Sequence, residues 1–350
     1  MSSSFNLRVF KALLDQVDGD RAAAEELARE EADQQQIASL HREGLRGVFS
    51  SLALSGGPCA ESLQLALKQD YIDDIARHVE WLRILREIAE TLETLGLQAI
   101  VFKGGAAIQG LYSGLGLRPV SDVDLLTRPA DYERIRVALC ELDFVPWTGA
   151  PHVLDRRGWA IDLHTSPLNQ LHLAYPFDLE GAWQRSLPCE EQNPFLRKLS
   201  LEDELTVNLL HSSKHAFRRM IWLVDYQLLI RRVNLPLALQ TIRVCRAERC
   251  LAYAAWLSQR MLGASPPAGM KPIRFNFFER RFLHGVLARE APEMMGMIMP
   301  VFSSTPLRTI RYLRHGLYPD MQKLSTRTQR LRQLFSVLVD FLRESRRRKR

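Results

Sequence analysis

A chain of 350 residues, of which 46% are hydrophobic and 25% charged, has the composition of an ordinary globular protein, which argues against a disordered or fibrous architecture. The length allows two domains, or one catalytic domain with a helical companion. The formal net charge of +7 favours anionic partners such as nucleotides, nucleic acid or acidic membrane surfaces.

Most of the excess positive charge lies in residues 343–350, which contain six basic residues and one acid. A block of this kind is usually a solvated tail, and nucleic-acid binding through it is an alternative that we do not favour. The five cysteines form no CxxC pair, and neither a secretory leader nor a stretch of about 18 uncharged apolar residues is evident. We therefore expect a cytoplasmic protein with no membrane span.

Apolar residues recur at helical spacing from residue 5 to about residue 95, which predicts an N-terminal helical region over residues 1–95 with three helices. The Gly-Gly-Pro triplet at residues 56–58 breaks the pattern between the second and the third helix, since glycine and proline interrupt helices. Residues 21–36, rich in alanine and glutamate, are predicted to be helical and solvated.

Residues 96–190 are predicted to form the core of the protein, a small mixed β-sheet with two helices. Residues 97–102 are a short apolar run that ends in glycines, which is typical of a strand leading into a helix. Residues 120–126 predict a second strand, and Pro129 stands where the next helix would begin. Two more strands are predicted on either side of a hairpin turn at residues 156–158.

Helical periodicity returns after the predicted sheet. Residues 191–265 are predicted to be a helical domain that completes the cleft, and Ser-Pro-Pro at residues 265–267 ends it. Residues 266–350 are predicted to be a C-terminal helical extension, with a helix over residues 331–342 and the basic tail. The predicted fold class is therefore α+β, a small mixed β-sheet core with N-terminal and C-terminal helical regions.

Two aspartates lie two positions apart on the second predicted strand. Successive side chains of a strand point to opposite faces, so Asp122 and Asp124 project from one face while Val123 faces the core. Converging carboxylates suit Mg²⁺ or Mn²⁺, which bind oxygen ligands and leave positions for water and substrate phosphates. An Asp-x-Asp pair alone is common on surface strands, so the prediction depends on a third acid.

Asp162 is the candidate for that third acid, because it lies in an apolar-bounded strand where a lone buried carboxylate would be costly. Placed beside Asp122 and Asp124, it would allow the two-metal arrangement used for in-line displacement at phosphorus. We predict these three aspartates as metal ligands and catalytic residues, and Asp162 also as a candidate acceptor of a proton. His164 shares its face and is expected to orient it or to satisfy the core.

The glycine pair predicts a phosphate-binding turn. Gly104 and Gly105 stand between strand and helix, where glycine lets the backbone approach an anion, although most glycine pairs only make turns. Lys103 and Arg118 add positive charge that suits a triphosphate. For Arg118, which precedes a proline, a simple pairing with a surface acid is an equally good interpretation.

A later predicted helix carries His211 and His215, which share one face because they are four residues apart. Two histidines in this spacing can bind a metal, but no acid completes a metalloprotease-type motif around them. We therefore favour a structural or phosphate-facing role for this helix, and we predict that Lys214 contacts the nucleotide.

These segments resemble a bacterial family of uncharacterised nucleotidyltransferases within the DNA polymerase β-like nucleotidyltransferase superfamily. The likeness lies in the glycine pair after a strand, the Asp-x-Asp-Leu-Leu strand and the third strand acid, at residues 102–107, 121–126 and 161–164. It continues through helical segments to cover roughly residues 70–265, including residues 199–205, 211–215 and 222–225. The resemblance implies the fold and the reaction class but no particular acceptor.

The predicted reaction is attack of an acceptor hydroxyl on the α-phosphorus of an NTP, with pyrophosphate as the leaving group. The first hypothesis is an enzyme that transfers NMP, with AMP favoured, to a small molecule or a protein. The alternatives are a nucleotide- or RNA-binding regulator with little turnover and an RNA-tailing nucleotidyltransferase. The three aspartates argue against the regulator, and no RNA-binding module with interleaved aromatic residues is evident for the tailing enzyme.

Overall fold

The computed structural model describes residues 2–17, 26, 34–56, 61–112, 114–291, 296 and 306–315. In these residues the protein has an α+β fold built on one seven-stranded mixed sheet, which confirms the predicted fold class. The predicted helix over residues 331–342, the basic tail and most of the predicted helix over residues 21–36 lie outside the described residues.

The described helices and strands follow the chain in three blocks: helices, a sheet with interspersed helices, and helices again. The helices are α1 (Ser2–Val17), α2 (Gln34–Glu43), α3 (Arg46–Gly56), α4 (Glu61–Leu95), α5 (Gly104–Ala107), α6 (Tyr132–Glu141), α7 (Leu179–Arg185), α8 (Leu201–Lys214), α9 (Met220–Ile230), α10 (Leu235–Val244), α11 (Glu248–Leu262), α12 (Phe277–Leu287) and α13 (Pro306–His315), with a 3-10 helix at Asn169–Leu173. The strands are β1 (Ala99–Phe102), β2 (Asp122–Thr127), β3 (Val145–Trp147), β4 (Ala150–Arg156), β5 (Trp159–His164), β6 (Leu187–Glu190) and β7 (Asn193–Lys198). None of the helices in the described ranges has the length and apolar character needed to cross a bilayer.

The N-terminal region contains four described helices, where the periodicity predicted three. The extra break is at Gly44, whose φ of 75° lies in the left-handed region that glycine adopts without steric cost. The Gly44 amide donates to the His41 carbonyl and the Leu45 amide donates to the Leu40 carbonyl, which closes the end of α2. The apolar pattern continues across this turn, and for that reason periodicity alone does not reveal it.

The seven strands have the order β3-β4-β5-β2-β1-β7-β6, with parallel pairing between β2 and β5 and between β1 and β7. The predicted hairpin joins β4 to β5, where Arg157 and Gly158 both have positive φ, as a tight two-residue turn requires. The strands β3, β6 and β7 were not predicted. The strands β6 and β7 extend the sheet to Lys198, past the core boundary predicted at residue 190.

The central strands separate two hydrophobic cores. Val101, Val123 and Ile161 point to one face, where they pack with residues of α4 and α6. The opposite face carries Phe102, which belongs to the larger core formed with the helices that follow the sheet. Because side chains alternate along a strand, Asp124 lies on the Phe102 side, facing those later helices.

Candidate active site

Two of the predicted aspartates lie side by side on neighbouring strands. The parallel register of β2 and β5 places Asp124 directly opposite Asp162. The His164 Nε2 atom lies 2.8 Å from Oδ1 of Asp124 and 3.1 Å from Oδ2 of Asp162. One ligand atom from each of the three residues lies within 4.8 Å of the others, so this group has the compactness of a cation site.

Asp122 lies at the exposed beginning of β2 and accepts a hydrogen bond of 2.6 Å from the Ser121 hydroxyl. In the register it stands opposite Ala160 and not opposite another acid. It lines the same pocket as Asp124 and Asp162, but it is not in their compact group. The structure therefore brings together Asp124, Asp162 and His164, with Asp122 at the rim.

The residues of this group fit a divalent cation. The Oδ1 atom of Asp162 is buried and has no hydrogen-bond partner in the described structure. An unsatisfied buried carboxyl oxygen costs free energy, and coordination of a hard cation such as Mg²⁺ or Mn²⁺ would satisfy it. Asp124 already has a positive partner, because the Lys103 ammonium lies 2.5 Å from its Oδ1.

The pKa values of the group reflect competition between burial and charge. Burial alone would raise the pKa of Asp124, but the charge of Lys103 and the hydrogen bond from His164 hold it well below its ordinary value. Burial alone would lower the pKa of His164, but its hydrogen bonds to Asp124 and Asp162 raise it above its ordinary value. Asp124 is therefore held in the ionised state that a metal ligand needs.

The turn after β1 places Lys103 in a conformation that few residues other than glycine adopt. Lys103 has a φ of 53° and a ψ of −130°, and its amide donates a 2.8 Å hydrogen bond to Oε1 of Glu204. This hydrogen bond to α8 holds Lys103 in its strained backbone conformation at the wall of the pocket. Two acids therefore hold Lys103: Glu204 accepts a hydrogen bond from its backbone amide, and Asp124 pairs with its ammonium group.

The two glycines of the turn have different surroundings. A Cβ atom on Gly105 would lie 2.7 Å from Cγ2 of Val101 and 3.2 Å from Cγ1 of Val123, so this glycine is required for close packing. A Cβ atom on Gly104 would meet Cγ2 of Val120 at 3.6 Å, an ordinary contact distance. Gly104 lines the pocket and Gly105 does not, so only Gly104 is placed to meet a ligand directly.

Glu204 is a site residue to which the sequence analysis assigned no role. It is buried on α8, one oxygen accepts the Lys103 amide, and the other has no partner in the described structure. Burial, with the nearby carboxylates of Asp225 and Asp124, raises its pKa to about 8. The segment of residues 199–205 belonged to the family resemblance, and its run of three consecutive acids at residues 202–204 was the available signal.

Arg118 forms a buried ion pair with Asp225 of α9. Its Nη2 atom lies 2.9 Å from Oδ2 of Asp225, its Nε atom lies 3.1 Å from Oδ1, and the Tyr112 hydroxyl donates to the same carboxylate at 2.6 Å. A fourth contact of 2.6 Å joins Nη1 to the Pro119 carbonyl. Arg118 thus has an acid partner, as one of the two interpretations predicted, but this partner is buried and not on the surface.

Most of these residues line one pocket of about 350 Å³, although His164, Tyr112 and Gly105 do not. Of the predicted site residues, those that line it are Lys103, Gly104, Arg118, Asp122, Asp124, Asp162 and Lys214. The other polar or aromatic residues that line it are Ser121, Asn169, Glu204, Asn208, His211, His215, Arg219, Trp222 and Asp225. Seven of these nine come from α8, α9 or the turn between them, whereas Ser121 precedes β2 and Asn169 begins the 3-10 helix.

His211 of α8 and His215, which directly follows that helix, pack with Trp222 in an aromatic cluster at the wall of this pocket. The ring centroids of His211 and Trp222 are 5.0 Å apart, and those of His215 and Trp222 are 5.6 Å apart. Burial lowers the pKa of His211 well below its ordinary value, so its ring is uncharged near neutral pH. The rings of His211 and Trp222 therefore offer flat, uncharged surface to the pocket.

A comparison with known proteins finds one family. The model of the family described as uncharacterised nucleotidyltransferase matches residues 30–263, more than half of the chain. The matched segment includes the whole sheet, the glycine turn, the three aspartates, α8 and α9. No curated protein and no solved structure matches the chain.

Proposed function

This chain belongs to the family of uncharacterised nucleotidyltransferases, and from this premise we propose that it transfers NMP from an NTP to a hydroxyl group of a small molecule or a protein. AMP is the group that we propose first. The observation that carries the proposal is the pairing of Asp124 with Asp162 at the wall of the pocket, with one buried oxygen of Asp162 lacking a partner.

In the proposed reaction the acceptor oxygen forms a bond to the α-phosphorus, the bond between that phosphorus and the bridging oxygen breaks, and pyrophosphate leaves. Asp122, Asp124 and Asp162 would hold Mg²⁺ or Mn²⁺, which supplies electrostatic stabilisation of the attacking and leaving oxygens when bound. Asp162 is also the proposed acceptor of the hydroxyl proton, because its carboxylate lines the pocket beside Asp124.

We propose that Lys103, Gly104 and Lys214 contact the phosphates of the nucleotide, because all three line the pocket beside the aspartates. Arg118 also lines it, but its guanidinium is paired with Asp225, so its proposed contribution is positive potential. Gly105 is proposed to act indirectly, by allowing the close packing that positions Gly104.

The proposed domain organisation follows from where these residues come from. The helical segment of residues 191–265 supplies one wall of the pocket through α8 and α9, which supports its proposed role in completing the cleft. Residues 1–95 and 266–350 remain the proposed N-terminal helical region and C-terminal extension. A cytoplasmic location is part of the same proposal, and no nucleic-acid partner is proposed.

The test follows the label of an NTP with the wild-type protein and Mg²⁺ or Mn²⁺. Each of the four NTPs is supplied with ³²P in the α-position or in the γ-position, together with cell extract that contains both small molecules and proteins. We expect α-label to enter an acceptor, most efficiently from ATP, and γ-label to appear only as pyrophosphate. Entry of γ-label into the acceptor would indicate a kinase and would contradict the proposal.

A further inference from the structure

A second pocket adjoins the candidate active site. It has a volume of about 840 Å³ and is bounded, in the described residues, by α2, the turn between α8 and α9, and the C-terminal end of α12. His215, Arg219 and Trp222 line both this pocket and the pocket of the aspartates. A molecule held in the second pocket would therefore reach the reaction centre past these three side chains.

Positive charge predominates in the lining of the second pocket. The charged residues around it are Arg42, Glu43, Arg218, Arg219, Arg289 and Glu290. The Glu43 carboxylate accepts the Met220 amide at 2.8 Å and pairs with Arg289 at 3.0 Å. One of the two acids is thus used to hold α2, α9 and the end of α12 together, and the lining keeps an excess of guanidinium groups.

Arg219 stands at the junction of the two pockets and is half-buried. No carboxylate of the described residues forms an ion pair with it. Burial lowers its pKa, and the charge of Arg118 lowers it further, although the carboxylates of Asp225, Glu43 and Asp122 partly compensate. A partly buried cation without an ion partner is costly, and a bound anion would relieve that cost.

We infer that the second pocket binds the acceptor, and that the acceptor is a small hydroxyl-bearing molecule whose phosphate or carboxylate group pairs with Arg219. This inference rests on the proposed function. The anionic group lies among the arginines, and the hydroxyl extends past Trp222 toward Asp162, which takes its proton as the new bond to the α-phosphorus forms. The size of the second pocket suits a small molecule of this kind.

The first part of the test identifies the charge class of the acceptor. A deproteinised small-molecule extract is separated on an anion exchanger into unbound and bound fractions, and each is incubated with the full-length protein, Mg²⁺ and α-labelled ATP. We expect acceptor activity in the bound fraction. Prior treatment of that fraction with phosphatase, followed by removal of the phosphatase, abolishes the activity if the anionic group is a phosphate and spares it if the group is a carboxylate.

The second part locates the acceptor with charge-removing variants. Arg219→Gln and Arg42→Gln are compared with Arg243→Gln, which removes an exposed arginine of α10 that lines neither pocket. We expect Arg219→Gln to raise the KM for the bound fraction about tenfold or more, as loss of a charged hydrogen bond does. Arg42 lines only the second pocket, so its variant is expected to raise the KM for the acceptor and to leave the KM for ATP unchanged.

Three results overturn the inference while leaving the proposed function intact: acceptor activity confined to the unbound fraction, acceptor activity confined to the proteins removed from the extract, or an unchanged KM for the acceptor in both variants. An increase in the KM for ATP alone would assign the second pocket to the nucleotide and would also overturn it. Absence of label transfer by the wild type from every extract overturns the proposed function and the acceptor site together. Thermal unfolding of each variant confirms that the comparison is made between folded proteins.

Discussion

The acidic residues of the site differ in whether each of their carboxyl oxygens has a hydrogen-bond partner. Asp124 is satisfied by Lys103 and His164, whereas the Oδ1 atom of Asp162 and the Oε2 atom of Glu204 are buried without a hydrogen bond in the described structure. Unsatisfied buried oxygens are rare in folded proteins because each costs free energy. Asp162 and Glu204 are therefore the acids whose substitution is most informative.

Glu204 gives a prediction for the pH dependence of stability. Its folded-state pKa of about 8 lies above the ordinary value of 4.5, so the folded protein binds the proton more tightly than the unfolded chain. This contribution to stability is complete below the unfolded-state pKa and is lost as the pH rises toward 8. The glutamine of Glu204→Gln cannot ionise, so the variant should not show this loss in the free energy of unfolding, which is on the order of a few kcal/mol.

Thermal unfolding of the wild type and of Glu204→Gln at pH 5, 7 and 8.5 measures this effect. The variant is expected to gain stability relative to the wild type as the pH rises. Glutamine retains an oxygen that can accept the hydrogen bond from the Lys103 amide, so the two proteins differ in the ionisable group and not in this hydrogen bond. Parallel pH profiles for the two proteins would show that Glu204 has an ordinary pKa.

The Arg118–Asp225 pair gives a second prediction at the residue scale. Both side chains are buried, and removal of one partner leaves an uncompensated charge in the interior. Asp225→Asn is therefore expected to lower the free energy of unfolding by about 3 to 5 kcal/mol. The control is Glu180→Gln, which breaks the exposed pair with Arg128 and is expected to have a much smaller effect, because solvent screens that pair. Equal effects in denaturant titrations would contradict the assignment.

At the scale of elements, the turn between β1 and α5 contains two glycines with different roles. Gly105 allows close packing against the sheet, and Gly104 lines the pocket. Gly105→Ala introduces a Cβ atom 2.7 Å from Val101 and is expected to destabilise the protein by about 1 to 3 kcal/mol. Gly104→Ala meets only ordinary contacts, so its unfolding temperature should be nearly unchanged.

The same pair of variants tests the binding of the nucleotide. The added methyl group of Gly104→Ala stands at the wall of the pocket and is expected to raise the KM for the NTP severalfold without a loss of stability. An unchanged KM, measured in the α-label assay, would place the phosphates elsewhere. The two substitutions are chemically identical, so the comparison separates ligand contact from packing.

Local periodicity was sufficient to predict part of this arrangement. The alternation along β2 predicted that Asp122 and Asp124 share a face, and the apolar setting of Asp162 predicted a partner for it. The sequence also predicted the hairpin turn at Gly158, which joins β4 to β5. The alternation of side chains and the hairpin turn depend on neighbours within a few residues, and for that reason the sequence alone was sufficient to predict them.

The remaining features depend on contacts between distant segments. Glu204 meets Lys103 across 101 positions and Asp225 meets Arg118 across 107, so neither pairing has a signature in local spacing. β7 inserts beside β1 although it follows that strand by nearly a hundred residues. Periodicity gives the type of an element, and packing between elements decides which acid receives which partner.

At the scale of the whole molecule, the sheet and the later helices form one pocket from opposite sides, so a bound nucleotide would connect them. A ligand that binds only the folded state stabilises it, by about 2.7 kcal/mol at a concentration one hundred times its Kd. We expect Mn²⁺ with a non-hydrolysable ATP analogue to raise the unfolding temperature of the wild type. The same addition to Asp162→Asn should produce a smaller rise, and equal rises would contradict binding at these aspartates.

The central claim is that the paired aspartates of β2 and β5 carry out nucleotidyl transfer, and the rate of α-label transfer in matched variants tests it most directly. Asp162→Asn removes the carboxylate whose Oδ1 atom lacks a hydrogen bond, while Asp143→Asn makes the same change at an exposed position with a φ of 65°, which asparagine accommodates. The account predicts that Asp162→Asn lowers the rate on the order of 10²- to 10³-fold and that Asp143→Asn leaves it unchanged. Equal rates of transfer by the wild type and Asp162→Asn would contradict it.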